Sequence, residues 1–213
     1  MNAEAFRVLI EAGNLEGLRG ALASDPELAN TTIRWFHHQQ NESDPLHYVS
    51  DCVSRGLLVN GREGEIATLL LESGAAIDGS AGRETPLIGA ASLGAENVAR
   101  VLVEAGAALE ASSVFGARAL HWAAWTGSPG TVGLLVSRGA QIEARCREFG
   151  ATPLFWAVHA CGPDGPHTRK DPVGAARILI TAGARVDTGN RQGVAARDLA
   201  RQVGSSGMAA LFD

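Results

Sequence analysis

The stretch that decides the fold spans residues 118–145 and reads RALHWAAWTGSPGTVGLLVSRGAQIEAR. The same pattern occurs 33 residues upstream, in ETPLIGAASLGAENVARVLVEAGAALEA, where Thr85 takes the place of Arg118. Each copy has two short helix-like apolar patterns joined by a turn and closed by a Gly-Ala pair. A fixed period of about this size is typical of stacked helical units that are too small to bury their apolar faces alone. The sequence therefore predicts a repeat protein.

Two longer copies flank this regular pair, one beginning DPLH at Asp44 and the other TPLF at Thr152. They exceed the regular spacing by nine and ten residues, and the second excess is the Gly- and Pro-rich stretch 161–172. Such a composition is typical of a loop. A Thr-Pro pair supplies an N-cap oxygen and a fixed φ at the helix start, and the closing glycine suits a left-handed C-cap.

The two ends of the chain carry shorter, more polar versions of the same helix pattern, as capping repeats do. We therefore divide the chain into six segments. They are an N-terminal capping repeat with a long connector (1–43), a unit with an insertion (44–83), two regular units (84–116 and 117–150), a unit with a Gly- and Pro-rich insertion (151–193) and a C-terminal cap (194–213).

The units resemble the ankyrin-repeat family, whose pattern is TPLHxAAxxG…LLxxGA. The resemblance implies an all-α fold, an ankyrin-repeat solenoid of helix-turn-helix units with short hairpin or loop fingers. It also implies that His47 and His121, which occupy the motif histidine, have a structural role in hydrogen-bonding the fingers. The sequence departs from the pattern where Arg118-Ala119 replaces Thr-Pro and where Ile88 and Phe155 replace the histidine. Both departures are expected to weaken local capping.

Composition excludes several functional classes. The 213 residues are 46% apolar, which argues against a disordered chain, and the net charge of −5 argues against a general nucleic-acid binder. Charges or glycines interrupt each apolar stretch, so we expect no membrane span and no leader peptide. The three cysteines are odd in number and without a pattern, which favours a reduced compartment. We expect a cytoplasmic protein.

The resemblance implies a binding surface, because the inner helices and fingers of ankyrin folds line a concave face where partners usually dock. Two rows of residues one helical turn apart fall there by position. The first row contains Tyr48, Gly89, Trp122 and Trp156, and the second contains Asp51, Ser92, Trp125 and His159.

Trp and Tyr are frequent interface anchors, so we expect a protein partner to contact this concave aromatic face. The expected contact residues are Tyr48, Asp51, Trp122, Trp125, Trp156 and His159, together with Trp35, Phe36 and His37 of the connector. Packing between repeats is the alternative role for Tyr48 and Trp122. The missing side chain at Gly89 predicts a notch between these two rings.

A second hypothesis is a small-molecule-binding protein or an enzyme, with the two insertions walling a concave groove. A catalytic interpretation makes His159 the base, with Asp51 or Cys52 as its partner. The pairs formed by His37-His38, His159, His167 and the cysteines lack metal-ligand spacing, so we expect no metal site and no cofactor. His37-His38 is interpreted as a polar finger tip.

Overall fold

The computed structural model describes residues 1–37, 39–58, 61–113, 115–163, 165 and 170–213. The chain is mostly helical and divides into two compact units, Met1–Ala108 and Leu109–Asp213. His38 and His167 lie outside the described residues. In the described part of the chain, no helix has both the length and the apolar character needed to cross a membrane.

The first unit contains two rows of short helices and one β-hairpin. Its elements are α1 (Ala3–Glu11), α2 (Leu15–Ser24), a 3-10 helix (Pro26–Asn30), β1 (Ile33–His37), β2 (Gln39–Ser43), α3 (Pro45–Ser54), α4 (Glu63–Glu72), α5 (Pro86–Ser92) and α6 (Glu96–Glu104). Helices α1, α3 and α5 pack in one row, and α2, α4 and α6 pack in the other. Each helix pair thus covers the apolar face of the next.

The second unit repeats this arrangement. Its elements are α7 (Ala119–Thr126), α8 (Pro129–Ser137), α9 (Pro153–His159), α10 (Pro172–Thr181), α11 (Ala196–Ala200) and α12 (Ser206–Ala209). Helices α7, α9 and α11 form the inner row, and α8, α10 and α12 the outer row. Between the helix pairs the chain makes tight finger turns, closed by backbone hydrogen bonds such as Ser113 N–H to Ala117 C=O (2.8 Å) and Asn190 N–H to Val194 C=O (2.8 Å).

The connector that ends the first predicted segment is a β-hairpin rather than a plain loop. β1 and β2 pair antiparallel, with Ile33 opposite Ser43 and His37 opposite Gln39. The physical reason is alternation along β1, where Ile33 is buried and Arg34 and Phe36 are exposed. A five-residue strand is too short for this period to stand out in the sequence.

The starts of α5 and α9 have the Thr caps that the sequence predicts, whereas the start of α7 has no such cap. The hydroxyl oxygens of Thr85 and Thr152 accept the backbone N–H groups of Ile88 (3.3 Å) and Phe155 (3.4 Å). At Arg118, which lacks such an oxygen, the ring of His121 accepts the Arg118 backbone N–H at 3.2 Å. This bond satisfies the N–H of Arg118 itself and gives α7 no side-chain acceptor of the kind that Thr85 and Thr152 supply.

A ladder of side-chain acceptors joins each finger to the next within both units. Asn30 accepts the backbone N–H of Ala76 (2.7 Å) and Asp78 that of Ala108 (2.9 Å) in the first unit. In the second unit Glu110 accepts the N–H of Gln141 (2.9 Å) and Glu143 that of Arg185 (2.7 Å). We call this set the finger ladder. Each acceptor lies near the base of one finger, and its donor lies at the equivalent place one repeat later.

Replacing Glu143 by Ala should lower the free energy of unfolding by about 2 kcal/mol, because hydrogen bonds to a charged acceptor are the stronger kind. The Glu143 carboxylate accepts from the Arg185 backbone N–H, the Arg185 guanidinium (3.3 Å) and the Thr188 hydroxyl (3.3 Å). Urea unfolding followed by circular dichroism measures the change. The exposed Glu148 is the matched control, and its replacement by Ala should stay within about 0.5 kcal/mol. Equal effects at both positions would contradict the ladder.

Candidate functional site: an aromatic cavity in the second unit

The second unit contains an aromatic cavity of about 640 Å³. We call it the aromatic cavity. The lining residues are Phe115, Trp122, Trp125, Phe149, Ala151, Phe155, Trp156, His159, Asn190, Gln192, Val194, Leu199 and Gln202. Helices α7, α9 and α11, three finger turns and Gln202 just after α11 supply these residues. Four of the residues that the sequence predicted for a binding surface therefore line one cavity.

Trp156 is the central ring of this cavity. The centroid of its indole ring lies 5.1 Å from that of Trp122 and 6.0 Å from that of Trp125. Both contacts have interplanar angles above 70°, the T-shaped geometry in which the positive edge of one ring faces the negative face of another. Trp156 is almost fully buried, whereas Trp122 and Trp125 are half-buried and keep surface for a ligand.

His159 lies one turn after Trp156 on α9 and extends the aromatic wall. Its ring lies 5.5 Å from Trp125 and 6.3 Å from Phe155, with interplanar angles of 30° and 26°. The spacing of three residues between Trp122 and Trp125, and between Trp156 and His159, places each pair on one helix face. This is why the two inner helices form one continuous wall.

Phe115 and Phe149 line the cavity from the finger tips, and neither was predicted from the sequence. They are unusually exposed for phenylalanine, at 39% and 44%. Their rings lie 6.1 Å from Trp122 and 6.4 Å from Trp156. The signal that would have found them is the tripeptide Phe-Gly-Ala, which precedes the α7 and α9 helix starts at the same offset.

The glycine after each of these phenylalanines lets successive finger tips stack. Gly116 has φ of 66°, and a Cβ there would lie 2.7 Å from the backbone nitrogen of Arg147. The tips are joined by hydrogen bonds from the Glu148 N–H to the Phe115 carbonyl (3.2 Å) and from the Arg191 N–H to the Phe149 carbonyl (2.9 Å). A side chain at Gly116 would force the fingers apart and displace the two phenylalanines.

His121 supports the cavity from beneath and has the structural role predicted for it. Its ring is fully buried, contacts Trp156 at 5.5 Å and donates from Nε2 to the Ala151 carbonyl oxygen in the next finger at 3.2 Å. Because Nδ1 accepts the Arg118 N–H, the neutral ring satisfies both groups. Burial lowers the pKa of His121 to about 4, so the ring is neutral at neutral pH.

Tyr48 lies in the core of the first unit rather than on a surface. None of the residue is exposed, and its ring contacts Trp35 at 4.7 Å. The Tyr48 hydroxyl donates to the Glu11 carboxylate and accepts from the Arg55 guanidinium at 3.0 Å. These partners correct the expectation of direct partner contact at Tyr48, because a polar tip with two partners is stable when buried.

Two of the three predicted contact residues of the hairpin border a smaller cleft in the first unit. Trp35 and Phe36 line a cavity of about 550 Å³ together with Arg7, Arg34 and Arg55. Phe36 is 76% exposed, and His37 is the last residue of β1. Each of the three arginines has a carboxylate partner, so this cleft is not an open cationic site.

The notch predicted at Gly89 is filled. A Cβ built there would lie 2.5 Å from Nε2 of His47, so the imidazole occupies the space that the missing side chain leaves. The Nδ1 atom of the same ring lies 3.2 Å from the Asp51 carboxylate. His47 therefore packs along the inner row of helices.

The residues of the catalytic hypothesis have separate surroundings. Asp51 belongs to the first unit and is paired with His47, whereas His159 belongs to the second and contacts the ring of Trp125. Burial raises the pKa of Cys52 to about 12, which keeps its thiol protonated and a poor nucleophile. Within the described ranges, no three His, Cys, Asp or Glu side chains are grouped to hold a metal ion.

Comparison with known families identifies the repeats. Residues 52–146 match a family model described as ankyrin repeats in three copies, over a little under half of the chain. The chain thus carries ankyrin repeats, and the resemblance found in the sequence is confirmed. No curated protein matches the chain. Ankyrin repeats are generally protein-interaction modules.

The buried His121 should make stability fall as the pH drops. A folded-state pKa near 4 lies below the unfolded value of about 6.5, so only the unfolded chain takes up this proton between those limits. Between pH 7 and pH 5 this histidine should remove about 2 kcal/mol of unfolding free energy. The measurement is urea unfolding at a series of pH values for the wild type and for His121→Gln, which lacks the titrating ring. A fall of the same size in the variant would assign the effect to other groups.

Proposed function

We propose that this protein is an interaction module whose protein partner docks in the aromatic cavity of the second unit. The observation that carries the proposal is the set of partly exposed aromatic rings gathered at one place. Trp122 and Trp125 are half-buried, and Phe115 and Phe149 are more exposed still. Contiguous apolar surface of this kind marks sites that are covered by a ligand or partner.

The shape of the cavity supports docking by side chains of a partner. Rigid rings on helices α7 and α9 offer large contact area at a small entropy cost, and Trp is the residue type most enriched in binding hot spots. The finger tips with Phe115 and Phe149 present a second side to the same ligand. A single solenoid remains a prediction from the sequence. The docking of the partner on a concave face also remains a prediction.

The setting we propose is a reduced, cytoplasmic one. Cys52, Cys146 and Cys161 form no disulfide, and the first two are buried, one in helix α3 and the other in a finger turn. This is the cysteine usage of a protein that does not depend on disulfides. No role for nucleic acid or for a membrane surface enters the proposal.

The test compares two exposed phenylalanines, one in the aromatic cavity and one on the hairpin of the first unit. Partners captured by the tagged wild-type protein are purified, and their affinity is measured by calorimetry. Phe149→Ala should weaken binding by about tenfold or more, since hot-spot truncations cost about 2 kcal/mol. Phe36→Ala should leave the affinity unchanged. Both side chains are largely exposed, so neither change should unfold the protein.

The opposite pattern would reject the site. An affinity that falls with Phe36→Ala and not with Phe149→Ala would move the interface to the hairpin. Failure to isolate any partner that binds the purified protein would reject the interaction module itself.

A small-molecule binder is the second candidate, because the aromatic cavity has the volume of a ligand pocket. Such pockets are about 300–1,000 Å³ and are apolar with few polar groups. A panel of neutral aromatic compounds is screened for a rise in melting temperature. Hits should raise it for the wild type and for Phe36→Ala, and not for Trp125→Ala. Equal shifts in all three proteins would place the compounds elsewhere and reject this candidate.

A further inference from the structure

We infer that the segment which docks in the aromatic cavity is an acidic peptide segment that inserts one large apolar side chain. This inference rests on the proposed function and specifies the chemistry of the partner. Two observations carry it, and they are independent of each other. They are the uncharged interior of the cavity and the arginines at its finger tips.

The interior of the aromatic cavity suits an uncharged side chain. Among the residues that the structure describes, the polar lining consists of His159 and the amides Asn190, Gln192 and Gln202, with no carboxylate, guanidinium or ammonium group. A charged side chain inserted here would lose its hydration without gaining an opposite charge. An aromatic or long aliphatic side chain would gain ring contacts and release water from the exposed phenylalanines.

The amides at the edge of the cavity suit the backbone of the inserted segment. Asn190 Oδ1 already accepts the backbone N–H groups of Gln192 and Val194, both at 3.0 Å. Its Nδ2 group is therefore the part of the amide that is left to donate to a carbonyl oxygen. The fixed Oδ1 contacts also hold this donor in one orientation at the edge, which lowers the entropy cost of its hydrogen bond.

The finger tips beside the cavity are rich in arginine. Arg191 lies between the lining residues Asn190 and Gln192, and its backbone N–H binds the carbonyl of Phe149. The guanidinium group of Arg191 donates to the backbone carbonyl of Arg147. A carbonyl carries no formal charge, so this contact leaves the positive charge of Arg191 unneutralised. Glu148 is an acidic residue of the same tips.

The charge of the whole second unit agrees with this local pattern. Residues 109–213 contain eleven basic and eight acidic side chains, whereas residues 1–108 contain seven basic and fifteen acidic ones. The second unit is thus positive in a chain whose net charge is −5. Such a local field attracts acidic segments and repels basic ones.

The same charges argue against a cationic side chain as the occupant. Aromatic faces attract cations, but the favourable contact is offset in a unit of positive net charge where none of the described lining residues is a carboxylate. Acidic residues on both sides of an apolar anchor fit both features at once. The apolar side chain of the peptide packs against the aromatic rings of the cavity. The carboxylates of the peptide stay in water beside the finger tips.

The test selects a library of random displayed peptides on the wild-type protein and on Phe149→Ala. Peptides that bind only the wild type should carry one Trp, Phe or Leu flanked by Asp or Glu. For one selected peptide, fluorescence anisotropy measures the dissociation constant with Arg191→Glu, Arg191→Lys and Arg177→Glu. We expect about tenfold weaker binding for the first and little change for the second, which keeps the charge. Arg177 is exposed on α10, so its reversal controls for net charge alone and should have little effect.

The outcomes separate this inference from the proposed function. Phe149-dependent peptides that are neutral or basic, or that bind Arg191→Glu as well as the wild type, would overturn the acidic segment and keep the docking site. Equal weakening by Arg191→Glu and Arg177→Glu would reduce the effect to net charge and would also overturn it. A library that yields no Phe149-dependent peptide would reject both the segment and the cavity as a docking site.

Discussion

Hydrogen bonds between successive fingers are the constraint on which the two units depend. Helices of seven to ten residues such as α5, α7 and α10 are marginal in isolation and gain stability only by stacking. Apolar stacking has little directional preference, so it cannot by itself fix how one repeat sits on the next. The finger ladder supplies direction, because Asp78, Glu110 and Glu143 each bind one particular backbone N–H of the following repeat.

In the second unit the fingers are joined at three levels, and this produces the aromatic cavity. Glu110 and Glu143 act at the base, His121 bonds the Ala151 carbonyl in the middle, and the Phe115 and Phe149 carbonyls accept at the tips. These contacts fix the register of α7 against α9. The indoles of Trp122 and Trp156, which have equivalent positions in the two repeats, are thereby brought to 5.1 Å. A cavity of this kind is preorganised, since its walls do not have to be ordered when a ligand arrives.

The sequence predicted those parts of the structure that depend on a repeated local pattern. The helix pairs, the Thr caps at Thr85 and Thr152 and the gathering of Trp122, Trp125, Trp156 and His159 on inner helices follow from period and position. The hairpin did not, because β1 has too few residues for alternation to be distinctive. Phe149 was missed because it lies in a turn, where no helical period draws attention to it. The burial of Tyr48 depends on Glu11 and Arg55, whose approach is a tertiary event that spacing does not reveal.

The contrast between Tyr48 and Trp122 explains why equivalent positions in one pattern become core in one unit and a partly exposed cavity wall in the other. Tyr48 has a hydroxyl that both donates and accepts, and Glu11 and Arg55 satisfy it in full burial. Trp122 has a single donor, which reaches the Ser113 hydroxyl at 3.4 Å, and its ring stays half-buried beside an exposed Phe115. The repeat fold supplies the position, and the polar partners available to each ring decide whether that position is closed or open. A repeat fold alone does not determine function, which depends on the side chains that the fold carries.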